Sequence, residues 1–149
     1  MFLYLTKIRY LLTDAKIRDS HFQDIGHFGI RATIATIFIA NGSGKFNPSF
    51  TGFLTDIGLP VEMQIPIALA ELISGILILV GVLTRISASI LSIVMLGAIF
   101  YVKRAASLTG QGGYQVDLII LAASLTIIAL GPGRISLSHL AKRIPRFLQ

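Results

Sequence analysis

The sequence has 149 residues and a net charge of +6; 54% of its residues are hydrophobic and only 13% are charged. A typical soluble domain is about 25% charged, and one of this length still exposes roughly 30% of its chain surface. The composition therefore excludes an ordinary soluble domain and a disordered chain, and the absence of cysteine excludes a disulfide scaffold or a thiolate metal site. We expect one α-helical membrane domain over residues 1–149.

The first and last segments of the chain mix apolar with basic residues. Residues 1–12 place leucine and isoleucine beside Lys7 and Arg9, and residues 135–149 alternate apolar residues with lysine and arginine. Such patterns are typical of helices that lie on a membrane surface. We expect amphipathic N- and C-terminal surface helices, which either contact lipid headgroups or dock to a partner subunit.

Four segments between these ends are candidates for crossing the bilayer, which takes about 17–25 residues. Three are clear apolar runs, at 61–83, 86–102 and 114–130. The first segment, 21–46, is interrupted by Arg31, but the capping-box spacing of Ser20 and Gln23 predicts a helix start there. The sequence thus predicts an all-α membrane protein with a bundle of four transmembrane helices.

Connections and charges predict the topology. Residues 41–60 form a long connection rich in glycine and proline, and such loops are usually functional or fold into a small lid. Nine lysine and arginine residues lie on the side of the two termini, against three on the other side. By the positive-inside rule we expect a cell-membrane protein with both termini in the cytoplasm. The positive charge is explained by this topology, so we expect no nucleic-acid partner.

Polar residues inside the predicted spans are the candidates for a functional site, because each charge costs roughly 2.5–3.5 kcal/mol at mid-helix. The predicted intramembrane polar site consists of Arg31, Asn41, Lys45, Glu71 and Asp117. Either cation of the first helix could reach Glu71, and depth in the membrane favours Arg31 over Lys45. The site is an ion pair that fixes helix register, a pocket for a quinone headgroup, or a proton path ending at Glu71.

Histidines give little support for a metal or a haem. His21, Asp24 and His27 would share one face of the first helix and could hold a metal ion near the cytoplasmic interface. Polar residues at the start of a helix are far commoner than such sites, and no later predicted span contains a histidine. We expect no metal and no tightly bound cofactor.

Several short motifs follow one another along the chain. Arg31, Asn41-Gly42 and Lys45 of the first helix are followed by Gly58-Leu59-Pro60 before the second. The later motifs are Glu71, Gly75, Gly81, Thr84-Arg85, Gly131-Pro132-Gly133-Arg134 and Ser136-Leu137. In this order and spacing the set resembles the DoxX family of small four-helix membrane proteins, over about residues 31–138. Asn41 departs from the family, which often has histidine there, so a proton cannot be carried by a histidine at this position.

Two glycines of these motifs are assigned to helix packing. Gly75 lies four residues after Glu71 on the second helix, and a small residue there lets a neighbouring helix approach closely. Gly81 belongs to the same run and is given the same role.

The resemblance implies a role in membrane redox chemistry. The family takes its name from subunits associated with terminal quinol oxidases, and related proteins belong to thiosulfate:quinone oxidoreductases. We therefore predict a respiratory-chain membrane subunit of a quinone-linked oxidoreductase or terminal oxidase complex, not catalytic alone, with other membrane subunits as partners and quinone as its candidate ligand. The alternatives are a non-catalytic structural subunit that stabilises a larger complex, and a small-solute or proton carrier.

Overall fold

The structure, a computed structural model, describes residues 21–136, and every regular element in this range is helical. The elements are α1 (His21–Gly44), α2 (Ser49–Asp56), a 3-10 turn (Val61–Met63), α3 (Gln64–Val80), α4 (Thr84–Gly97), a π-helical turn (Ala98–Val102) that continues α4, and α5 (Gln115–Leu130). The all-helical prediction is confirmed for this part of the chain. The predicted surface helices at 1–12 and 135–149 lie outside it, apart from the first two residues of the second.

Glycine and backbone conformation explain where the helices differ from their predicted bounds. α3 ends at Val80 rather than at residue 83, because Gly81 adopts a left-handed conformation (φ 79°) and its N–H bonds to the Leu77 carbonyl at 2.9 Å. Leu83 is also left-handed (φ 49°), and α4 begins directly after it, two residues earlier than predicted. α1 ends at residue 44 instead of 46, and α5 begins at 115 instead of 114.

The outer surface of the helices is strongly apolar. Val61–Val80 has 20 residues and Thr84–Val102 has 19, and both are long and apolar enough to cross a membrane. α5 is also apolar but has only 16 residues. Large side chains face outward along these helices, with Ile93 68% and Phe100 65% exposed. An apolar surface of this extent on a small helical domain indicates contact with lipid.

α1 and α3 pack with their backbones close together. A Cβ on Gly42 would lie 2.6 Å from the backbone nitrogen of Leu72, and one on Gly75 would lie 3.0 Å from Cγ1 of Ile39. The first position leaves no room for a methyl group and the second leaves almost none. The buried core between the helices consists of Ile34, Ala35, Phe38, Ile78, Ala88, Leu91, Met95, Ile120 and Ile127.

The up-and-down course of the four longer helices creates two ends. At one end, which we call the loop end (residues 41–63 and 102–115), α1 and α4 finish and α3 and α5 begin. At the opposite end, the turn end (residues 21–31, 80–84 and 131–136), α1 and α4 begin and α3 and α5 finish. The connection predicted as a loop or small lid, 41–60, contains α2 and lies at the loop end.

Candidate functional site

Lys45 and Glu71 form an ion pair at the loop end. Lys45 follows the last residue of α1, and its Nζ donates a hydrogen bond to Oε2 of Glu71 on α3. The side chain of Glu71 is only 2% exposed, so this carboxylate is almost completely withdrawn from solvent. The Lys45 ammonium also lies 5.5 Å from the ring centroid of Phe50 on α2, within range of a cation–π contact. The pair therefore links three helices.

The backbone that carries Lys45 is held by side-chain and main-chain bonds. The Lys45 N–H donates to the carbonyl oxygen of Asn41 at 3.2 Å, which continues the last turn of α1. Nε2 of Gln64, the first residue of α3, donates to the carbonyls of Lys45 (2.8 Å) and Asn47 (3.2 Å). These bonds fix the chain leaving α1 against the start of α3, and so keep the ammonium in reach of Glu71.

A second ion pair lies at the same end of the bundle. Nζ of Lys103, the residue after the π-helical turn, donates to Oδ2 of Asp117 on α5 at 2.5 Å. The same ammonium donates to the carbonyl oxygen of Gly113 at 3.0 Å, which fixes the loop that leads into α5. Charge-assisted bonds of this kind are stronger than neutral ones, so the pair holds the ends of α4 and α5 together.

Both ion pairs line one cavity of about 410 Å³. Asn41, Lys45, Glu71, Lys103 and Asp117 supply its polar lining, and the rest is aliphatic or aromatic. α2 covers one side, where its ring and alkyl side chains Phe50, Phe53 and Leu54 face the space. Small-molecule sites have this character: an apolar chamber of roughly 300–1,000 Å³ with a few placed polar groups.

Arg31, the fifth residue predicted for the polar site, is not part of the cavity lining. Its side chain is 1% exposed at the turn end, where the guanidinium donates five hydrogen bonds to backbone carbonyl oxygens among the described residues. The acceptors are Ile78 (3.1 Å from Nε and 2.9 Å from Nη2), Leu79 (3.2 Å), Ile135 (2.8 Å) and Pro132. The preferred Arg31–Glu71 pairing is therefore wrong, and Lys45 is the partner of Glu71.

Side-chain direction explains the error. Ile78 lies seven residues beyond Glu71 on α3, which is about 10 Å along a helix axis. A helical side chain leans toward the N-terminus of its own helix, so Arg31 leans away from Glu71 and Lys45 leans toward it. The guanidinium instead meets the last carbonyls of α3, which carry the negative end of the helix dipole. Gly81 borders this site, because a Cβ there would collide with Nη2 of Arg31.

Sequence reasoning missed two features of the cavity. Lys103 is one of the three cations counted on the side opposite the termini, and nothing in the sequence indicates its pairing with Asp117. The π-helical turn (Ala98–Val102) carries Ala98, Tyr101 and Val102 of the cavity lining, and π-turns occur frequently at functional sites. No pattern in the sequence signals this turn.

The residues considered as metal ligands lie at the turn end. Asp24 forms a long ion pair with Arg134, 3.9 Å between Oδ2 and Nη1, and His27 packs beside Gly133. The side chain of His21 is not described. Among residues 22–136, no group of three or more histidine, aspartate or glutamate side chains could hold a metal ion.

Comparisons with known proteins agree with the fold and the motifs. The chain is 33% identical over 110 residues to "Putative oxidoreductase CatD" of Bacillus subtilis, covering 72% of this chain and 81% of that protein. It is 31% identical over 131 residues to "Uncharacterized membrane protein Rv3486" of Mycobacterium tuberculosis, covering 76% of this chain and 80% of that protein. No solved structure gives a significant match. The DoxX family model matches residues 26–104, and this membrane protein belongs to the DoxX family.

Proposed function

We propose that this protein is an integral membrane subunit of a quinone-linked oxidoreductase or terminal oxidase complex, and that its cavity binds a quinone headgroup. The observation that carries the proposal is the presence of two lysine–carboxylate pairs in one mostly apolar chamber of about 410 Å³. The similarity to a relative named as an oxidoreductase supports the same direction.

The chemistry of the lining matches a quinone. A quinone ring is apolar on its faces and carries two carbonyl oxygens that only accept hydrogen bonds. Lys45 and Lys103 supply ammonium donors, and hydrogen bonds to the partner carboxylates of Glu71 and Asp117 hold those ammonium groups in place. In this proposal the chain holds no tightly bound cofactor of its own, and electrons reach the quinone from a partner subunit.

The proposal includes four membrane crossings. Val61–Val80 and Thr84–Val102 have the length and hydropathy of spans, and α1, with 24 residues, rises about 36 Å. α5 rises only about 24 Å and would cross with its ends near the headgroups. Since nine lysine and arginine residues lie on the side of the termini and three on the other, the loop end with its cavity faces outward.

The test is purification of the full chain from native membranes in lipid discs, with mass spectrometry of co-purifying proteins and extracted quinones. We expect oxidase or dehydrogenase subunits together with quinone. Glu71→Gln and Lys45→Gln should retain several-fold less quinone than the wild type. Glu62→Gln is the matched control, because Glu62 is an exposed acid near the loop end that does not line the cavity. Recovery of the chain without quinone or redox subunits contradicts the proposal.

A structural subunit is the second candidate, favoured by one observation. Both carboxylates of the cavity, the buried Glu71 and the partly buried Asp117, have a lysine partner, so the two pairs can serve to hold α1 to α3 and α4 to α5. In that case the double variant Lys45→Gln/Glu71→Gln leaves turnover per assembled complex unchanged and lowers only the amount assembled. A fall in turnover at matched assembly favours the quinone site.

A further inference from the structure

Four of the described residues that line the cavity are also exposed at the surface, and we call them its rim. Of the residues that line it, Asn41, Phe53, Gly97 and Tyr101 are also exposed, with Phe53 41% and Tyr101 52% accessible. Three of these four are apolar or aromatic. Phe53 lies on α2, whereas Gly97 and Tyr101 lie on α4 and its π-helical turn, so most of the rim lies between these two elements.

The exterior beside this rim is apolar. Ile93, Leu96 and Phe100 flank Gly97 along α4 and the π-helical turn, and their side chains are strongly exposed. In a membrane, side chains of this kind face hydrocarbon rather than water. An opening next to Gly97 would therefore face the bilayer, while the two lysines of the cavity, Lys45 and Lys103, lie at the loop end.

Gly97 differs from the glycines that permit helix packing. A Cβ on Gly42 or Gly75 would meet atoms of a neighbouring helix, but a Cβ on Gly97 would have no atom within 4 Å apart from its chain neighbours and the nearby backbone of its own helix. Its backbone is helical (φ −58°, ψ −44°), so no unusual conformation requires glycine either. Glycine inside a helix is less favourable than alanine, because it loses more conformational freedom on folding. What glycine provides at this position is open space at the mouth of the cavity.

We propose that this opening is a lateral passage through which the hydrocarbon tail of the bound ligand extends into the bilayer, and that Gly97 keeps the passage open. A chamber of about 410 Å³ is near the small end of ligand sites and accommodates a ring-sized headgroup, not a long tail. The ligand class is accordingly an amphiphile with a hydrogen-bond-accepting ring and a long apolar tail. This inference rests on the proposed quinone site and specifies a long-chain quinone.

The test compares two quinones that share a naphthoquinone ring: menaquinone-4, which has a 20-carbon tail, and menadione, which has none. Binding to the full chain in lipid discs is measured by equilibrium dialysis for the wild type and for Gly97→Phe. Gly29→Phe is the matched control, because Gly29 is a helical, exposed glycine with an equally unobstructed Cβ and lies outside the cavity. Gly97→Ala, which leaves the helix intact, gives a milder version of the same change.

We expect Gly97→Phe to weaken menaquinone-4 binding by about tenfold or more while menadione binding changes less than about twofold. Gly97→Ala should weaken only menaquinone-4, and by less, and Gly29→Phe should change neither ligand. Equal loss of both ligands in Gly97→Phe would mean that Gly97 shapes the headgroup chamber, and no loss of either would place the tail elsewhere. Both results overturn the passage and leave the quinone site standing. If the wild type binds neither ligand, the quinone site fails and the passage fails with it.

Discussion

Arg31 lies on α1 and Lys45 directly follows it, yet the two cations bind different kinds of partner. The five N–H donors of Arg31 meet backbone carbonyls at the end of α3 and in the segment after α5. A planar guanidinium can satisfy several carbonyls at once in a fixed geometry, which a lysine ammonium cannot. Arg31 therefore joins the turn ends of three helices, whereas Lys45 carries a donor beside the cavity.

The first prediction concerns this carbonyl network. Arg31→Lys keeps the charge but loses several of the hydrogen bonds, which leaves carbonyls at the end of α3 unsatisfied. We expect the free energy of unfolding to fall by about 3 kcal/mol, measured by SDS titration in mixed micelles with circular dichroism. Arg104→Lys is the control, because Arg104 is exposed in a loop. Equal stability of Arg31→Lys and the wild type would contradict the role given to the guanidinium.

The second prediction concerns Gly81, which borders the guanidinium. Gly81→Ala forces a left-handed conformation on alanine and pushes its methyl group into Nη2 of Arg31. We expect a loss of about 1–2 kcal/mol or more in unfolding free energy. Gly29→Ala, at a helical and unobstructed glycine, should instead gain about 0.4–1 kcal/mol in the same titration. A higher unfolding free energy in both variants would show that the surroundings of Gly81 accommodate the methyl group, and would contradict this prediction.

At the scale of elements, the α1–α3 contact determines the geometry of the Lys45–Glu71 pair. Gly42 lies three residues before Lys45, and its Cα faces the backbone of α3 next to Leu72, the residue after Glu71. The close approach of the two helices thus occurs at the level of the ion pair. Any separation of the helices lengthens the distance between the ammonium and the carboxylate.

The third prediction uses this coupling. Gly42→Ala places a methyl group 2.6 Å from the Leu72 nitrogen, so α1 and α3 must move apart. Overpacking of this kind costs about 1–3 kcal/mol in stability, and quinone retention should fall together with it. Gly44→Ala is the matched control, two residues along the same helix with an unobstructed Cβ. If Gly42→Ala is destabilised but retains as much quinone as the wild type, the quinone site does not depend on the α1–α3 contact.

At the scale of the whole molecule, the bounds of the helices were easier to predict from the sequence than the ion pairs between them. The apolar runs 61–83 and 86–102 end within three residues of the observed helices, because hydropathy and glycine determine where such helices stop. The ion pairs were harder to predict, because Arg31 and Lys45 are fourteen residues apart and share one face of the predicted first helix, 21–46. The spacing therefore indicated which face of the helix the two residues share, but not which way along the helix axis each side chain points. The span predicted to end at residue 102 ends there in the structure, but no pattern indicated that the next residue, Lys103, pairs with Asp117 of α5.

The last prediction concerns how many times the chain crosses the membrane. Four crossings place residues 55 and 109, at the loop end, on the opposite side from residue 135. If only the α3–α4 hairpin crossed, all three residues would lie on one side, since both ends of a hairpin emerge together. Thr55→Cys, Thr109→Cys and Ile135→Cys test this directly, because the sequence has no cysteine to give a background and all three positions are exposed. A membrane-impermeant maleimide should label the first two variants on intact cells and the third only after permeabilisation. Labelling of all three on intact cells, or of none, would reduce the bundle to two crossings and place α1 and α5 outside the bilayer.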